Sequence, residues 1–225
     1  MISPMDQILS PTKQTYNELQ EAYNFFNKRL YSNKLNSCLI TLQRKPRSYG
    51  YFCKGRFFNR DGRTTDEIAL NPVYFESRTD RGVLSTLVHE MTHLWQWHFG
   101  NPGRRGYHNR QWAREMIRIG LCPSATGQPG GKETGYQMTH YILDGGEFED
   151  AYCELDAMGF RLSWVENNNL MVGLAPPTSK ATQGTTDGSN RWKYSCPRCR
   201  FNAWAKPNGK LICGNCNTAM PKSLR

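Results

Sequence analysis

The chain has 225 residues, 38% of them hydrophobic, and a formal net charge of +10. That length can bury one full-sized core and a small appendage, and no apolar run reaches the roughly 18 residues of a membrane-spanning helix. The opening MISPMDQILSPTKQ has no basic segment followed by an apolar run, so it does not read as a secretory signal, and cytoplasmic residence is expected.

Residues 13–31 place Tyr16, Leu19, Tyr23, Phe26 and Leu30 at helical spacing, with Pro11 and Thr12 suited to the start. Three short β-like runs follow: Leu39 to Leu42, Tyr49 to Cys53 and Glu67 to Leu70. Asn59-Arg60-Asp61-Gly62 is a turn signal between the last two. The three are expected to form a small antiparallel sheet.

Thr79-Asp80 offers a helix cap. Val83, Leu84, Leu87, Val88, Met91, Leu94 and Trp95 then recur at helical spacing until Gly100, Pro102 and Gly103 stop the helix. Inside it lies VHEMTHLWQWHF. At about 100° per residue, His89 and His93 sit about 40° apart on one face and can grip one ion. Glu90 lies one residue on and can hydrogen-bond a water without ligating the metal. Zinc there would acidify that water and polarise a substrate carbonyl. Glu90 would accept the water's proton and pass it to the leaving amine.

A catalytic zinc needs a third protein ligand and an open position. His98 is nine residues from His89 and points half a turn away. The metzincin spacing would need glycine at 96 and histidine at 99, where the chain has Gln96 and Phe99. His108 follows the loop 100–107, at the start of a second helix capped by Asn109, with Trp112, Ala113, Met116 and Ile119 on its apolar face. Glu115 on that helix is the rival ligand, and spacing leaves both open.

Residues 123–135 are Gly/Pro-rich and irregular. Residues 144–156 hold six acids and no base, and read as a solvated face. Residues 175–190, Pro/Thr/Ser/Gly-rich without periodicity, read as a flexible linker. The domains are therefore expected at 1–174 and 191–225.

The last segment holds Cys196, Cys199, Cys213 and Cys216 as C-x2-C-x13-C-x2-C, a spacing that suits tetrahedral structural zinc. Pro207-Asn208-Gly209 suits a hairpin turn between the two knuckles. Thirty-five residues cannot build a sufficient apolar core, so the metal would supply most of the folding free energy. Residues 191–225 carry eight Lys/Arg and no acid, whereas 1–190 carry 21 Lys/Arg and all 19 acids. A basic ribbon with Trp192, Tyr194, Phe201 and Trp204 interleaved points to nucleic acid, with single-stranded or junction DNA favoured. Phe201 and Trp204 have an alternative role as the ribbon's own small core.

The stretches LNPVYF (70–75), VLSTLVHEMTHLWQ and GYHNRQWAREMIRIG (106–120) resemble the SprT-like metalloproteases, a family that includes a protease of DNA-crosslinked proteins. The resemblance covers about residues 13–120. It implies an α+β zincin-type domain, with His89, His93 and His108 as zinc ligands and Glu90 as general base or acid. The chain departs from the family's Gly-His-Gly at the third ligand, having Gly106-Tyr107-His108-Asn109. Beyond residue 120, Tyr136, His140 and Tyr141 are oxyanion candidates by residue type only. The combined expectation is a monomeric endopeptidase with one catalytic and one structural zinc, acting on DNA-bound proteins, without a membrane. The alternative is a non-enzymatic DNA-binding or regulatory protein with a vestigial SprT-like domain.

Overall fold

The structure is a computed structural model and describes residues 9–168 and 192–223. It contains two compact units, divided after Ala175. The expected linker 175–190 lies outside the described residues.

The first unit opens with helix α1 (Pro11–Tyr31), which has Pro11 in its first turn and Ser32 in the left-handed conformation at its end. Strands β1 (Leu39–Leu42), β2 (Gly50–Phe58) and β3 (Thr64–Leu70) form one sheet in the order β1-β3-β2. The β2–β3 hairpin is antiparallel, as expected. The β1–β3 pairing is parallel, so the sheet is mixed rather than wholly antiparallel. The expected turn closes the hairpin: Asn59 Oδ1 accepts from the amides of Asp61 and Arg63, and Gly62 takes φ +85°. β2 is longer than the Tyr49–Cys53 run suggests, because a bulge after Cys53 carries it on to Phe58.

Helix α2 (Asp80–Phe99) starts where Thr79 Oγ1 accepts from the Gly82 amide, 3.2 Å away, and ends at Gly100. It is the central beam: Val83, Leu84, Leu87, Val88, Met91 and Leu94 are all buried. Helix α3 (Arg110–Arg118) is capped by Asn109, whose Oδ1 accepts from the Trp112 amide, and Gly120 follows it at φ +85°.

Two features beyond residue 120 were not read from the sequence. Strands β4 (Leu121–Ser124) and β5 (Thr139–Ile142) pair antiparallel. The acidic run contains helix α4 (Glu147–Ala157), which buries Phe148, Ala151 and Leu155. Phe148 stacks on Phe26 of α1 at 5.5 Å between ring centres, so that face belongs to the core. The acids do favour the solvent side, and Glu147, Glu149 and Asp150 sit in the first turn, where negative charge stabilises a helix.

The second unit is two hairpins, β6 (Trp192–Ser195) with β7 (Asn202–Ala205) and β8 (Leu211–Cys213) with β9 (Thr218–Met220). The turn at Pro207–Gly209 forms, with Asn208 at φ +63°. It links the two hairpins instead of closing one, because β7 pairs with β6. Tyr194 staples it: its hydroxyl donates to the Lys206 carbonyl and accepts from the Gly209 amide. The small core is Tyr194, Cys196, Cys213 and Met220. This α+β fold with a small β ribbon is the expected class. Among the described residues no helix is long and apolar enough to cross a membrane.

Candidate metal centres

His89 and His93 lie one turn apart on α2, both facing the start of α3. The polypeptide must reverse to bring His108 back to them. Gln96, in the last turn of α2, arranges this. Its Nε2 donates to Asn109 Oδ1 at 2.7 Å and to Gln111 Oε1 at 3.2 Å. Asn109 Nδ2 donates to the Asn101 carbonyl, and the Asn101 amide donates to Gln111 Oε1. The loop 100–107 is thus cinched by one amide network, with Gly106 at φ +73° supplying the turn. Tyr107 and Asn109 in place of glycines do not disturb it.

The three imidazoles converge. His93 Nε2 and His108 Nε2 are 3.0 Å apart, and one ring nitrogen from each of His89, His93 and His108 lies within 4.8 Å of the others. Ligands on a tetrahedral zinc at about 2.0–2.1 Å are spaced by about 3.3 Å, so this donor set fits such an ion. His108 Nδ1 donates to the Gly135 carbonyl at 3.0 Å, and two backbone hydrogen bonds join His108 and Gly135. That contact puts the proton of His108 on Nδ1 and leaves Nε2 bare toward the other rings.

Trp112 of α3 is fully buried and forms the floor. The rings of His89, His93 and His108 sit 4.9, 5.1 and 4.4 Å from it. His93 is nearly parallel to both Trp112 and Phe52 of β2, and so is held between them. Burial drives the His89 and His93 imidazoles toward the neutral form, His93 down to about 3, and neighbouring histidines add to the shift. Neutral imidazole is the metal-binding form.

Glu90 lies on the adjacent arc of the helix, beside β2. Burial pushes its carboxyl up to about 8, against the pull of Lys45 and a backbone hydrogen bond from Phe52. A cation on the histidines would favour the carboxylate. Gly50 makes room for this approach. A Cβ there would lie 2.8 Å from the Ala69 carbonyl oxygen and 3.4 Å from Glu90 Cγ.

The remaining candidates separate cleanly. Glu115 is taken up by Arg118 through both carboxylate oxygens and is not in the histidine cluster. His98 bonds Asp66 at 2.6 Å, away from the cluster. Tyr136 is exposed and packs edge-on to Tyr107. Tyr141 alternates with His140 along β5 and so faces the opposite side. His140 is the one that reaches the site, with Nδ1 3.1 Å from His89 Nδ1. No spacing rule pointed to it.

A family model described as SprT-like matches residues 15–136, more than half of the chain. The chain belongs to the SprT-like family. An uncharacterized Salmonella typhimurium protein, from the region 3′ of mucB, is 59% identical over 59 residues, covering 26% of this chain and 80% of that protein. No solved structure matches the chain. The matched SprT-like region spans the sheet, α2 and α3, and it contains all three clustered histidines and Glu90.

The SprT-like unit is accompanied by a second candidate centre in the ribbon. Cys196, Cys199, Cys213 and Cys216 present sulfurs within 4.8 Å of one another, and Cys199 Sγ is 3.5 Å from Cys213 Sγ. Backbone amides, that of Cys199 first, lower the Cys196 thiol to about 7. The donor types of both clusters are consistent with zinc. Phe201, Trp204 and Ile212 are more than half exposed and do not belong to the ribbon core.

Proposed function

We propose that this SprT-like protein is a zinc-dependent endopeptidase acting on DNA-bound proteins, with the ribbon as its nucleic-acid contact. The observation that carries the reading is the convergence of His89, His93 and His108 with Glu90 on the adjacent arc of α2. His89, His93 and His108 would hold the ion, and Cys196, Cys199, Cys213 and Cys216 a structural one. When bound, zinc supplies Lewis acidity toward a peptide carbonyl and an attacking water. Glu90 then serves as the proton carrier. Its carboxyl takes a proton from the water and gives it to the departing amine. Trp112 and Phe52 keep the His93 ring rigid during that exchange.

The nucleic-acid part of the proposal is supported by the ribbon surface. Lys193 and Trp204 are directly opposed across β6–β7, and both are exposed. A cation beside an open indole suits a phosphate next to an unpaired base. Trp192 is partly covered instead, with Lys222 Nζ 3.7 Å above its ring.

The test is cleavage of a DNA-bound basic protein by the full chain, with and without single-stranded DNA. Glu90→Gln should keep its metal and lose about 10²–10⁴-fold in rate. Metal analysis should return two zinc ions, falling to one in His89→Ala. A parent protein that holds one zinc and cleaves nothing would leave the non-enzymatic DNA-binding reading.

A further inference from the structure

Behind the three clustered histidines stands His140, on β5. Its Nδ1 is 3.1 Å from His89 Nδ1, and its Nε2 is 2.9 Å from Ser85 Oγ on α2. Ser85 Oγ is also 2.9 Å from the Gly82 carbonyl oxygen. These three contacts can be read as a proton inventory. A carbonyl only accepts, so the single Ser85 proton goes to Gly82. Ser85 then offers a lone pair to His140, and His140 Nε2 must be the donor. A second proton on His140 would set a charged ring 3.1 Å from a nitrogen of the metal-binding cluster, so the ring carries the one N–H of a neutral imidazole. His140 Nδ1 is therefore a lone pair. It can only accept, so the proton of His89 sits on Nδ1, and His89 Nε2 is left bare.

We propose that the chain Gly82–Ser85–His140 sets the tautomer and ring orientation of His89, making His140 a positioning residue for the metal-binding nitrogen. The inference rests on the reading of His89, His93 and His108 as a metal site. It extends to His89 what the Gly135 carbonyl does for His108. Two of the three rings are then aimed by a partner on Nδ1. Such outer partners commonly change metal affinity by about 10–100-fold. His140 is not a ligand in this arrangement, because its Nδ1 is occupied by His89 and its Nε2 by Ser85.

The experiment uses the full chain with cobalt and zinc. Thiolate-to-cobalt absorption reports the ribbon separately, as an internal control. His140→Leu removes the acceptor. His140→Asn keeps it, since the amide oxygen takes the place of the ring Nδ1 and can accept from His89 Nδ1. Zinc affinity of the histidine site, from chelator competition, should fall about 10–100-fold in His140→Leu and stay near the parent value in His140→Asn. Ribbon absorption should be the same in all three. In nitrogen-15 histidine spectra of the parent, His89 Nδ1 should carry the proton and Nε2 should shift on metal addition. Equal affinity in parent and His140→Leu, loss of the His89 Nδ1 proton on metal addition, or direct metal coordination by His140 would each overturn the proposal. Should His140→Leu not fold, Ser85→Ala takes its place, with a smaller loss expected and an unchanged affinity and tautomer overturning it. A parent that binds metal only at the ribbon, matched by His89→Ala, would instead defeat the metal-site reading itself.

Discussion

Gln96 Nε2 on α2 donates to Asn109 Oδ1 at the head of α3 across 2.7 Å. The bond joins the helix that carries two clustered histidines to the cap of the helix that follows the third. Asn109 Oδ1 also accepts from the Trp112 amide, so one oxygen serves both the helix cap and the loop closure. Gln96 is buried, and its removal would leave Asn109 and Gln111 with lost partners in a part-buried setting. Gln96→Met, similar in shape but without the amide, should therefore cost about 1–3 kcal/mol. The same change should weaken cobalt at the histidine site while sparing the ribbon. Thermal unfolding and cobalt titration of the full chain check the two parts.

Gly50 is a point of close approach between β2 and α2. A methyl group there meets the Ala69 carbonyl oxygen at 2.8 Å and Thr86 Cγ2 at 3.0 Å. The first contact is with backbone and cannot be relieved by a rotamer change. Gly50→Ala should destabilise the protein by roughly 1–3 kcal/mol. It should also move β2 away from Glu90, lowering kcat more than zinc content. A variant with parental stability and rate would show that the sheet can shift freely at this point.

These local features were readable because their causes are local. Thr79, Asn109 and Gly120 end or begin helices through groups within three residues of themselves, and each does so in the structure. His89 and His93 share a face by helix geometry alone. The parallel β1–β3 pairing was not readable, because strand order depends on contacts across the chain. His140 was a candidate by residue type only, and its contact with His89 was not readable for the same reason, the two being 51 residues apart. Helix α4 is a different case. Phe148, Ala151 and Leu155 have helical spacing in the sequence, and the dense acids around them drew attention to the solvent face alone. The third-ligand choice lay between these extremes. Spacing left His108 and Glu115 open, and the Arg118 pairing of Glu115 separates them.

Alkaline pH should destabilise the first unit before its tyrosines ionise in the folded state. The Tyr23 hydroxyl donates to the Asn36 carbonyl, and that of Tyr31 bonds Thr92. Burial raises both above the usual 10, and it pushes the Cys38 thiol from 9.0 up to about 12. The unfolded chain then holds fewer protons than the folded one above the ordinary values. Stability is complete below about pH 9 and falls as pH rises toward the folded values. Urea unfolding at stepped pH should show that decline, and Tyr23→Phe should flatten it. A decline of the same slope in Tyr23→Phe would exclude this tyrosine as a source.

Trp204 gives the sharpest test of the ribbon, because its indole is exposed beside Lys193 while the ribbon core is built from other residues. Its removal should leave folding intact. Stacking on an unpaired base is worth about 1–3 kcal/mol, so Trp204→Ala should weaken single-stranded DNA binding by roughly 5- to 150-fold. Lys193→Ala should act differently, reducing the dependence of log affinity on log salt by about 0.7 for a single strand. Ile212, on β8, is even more exposed and has no π face. Ile212→Ala should change binding little. Equal losses at Ile212 and Trp204, with no change in salt dependence at Lys193, would identify the ribbon surface as an apolar docking face for protein. Fluorescence anisotropy with a labelled oligonucleotide across a salt series separates the two outcomes.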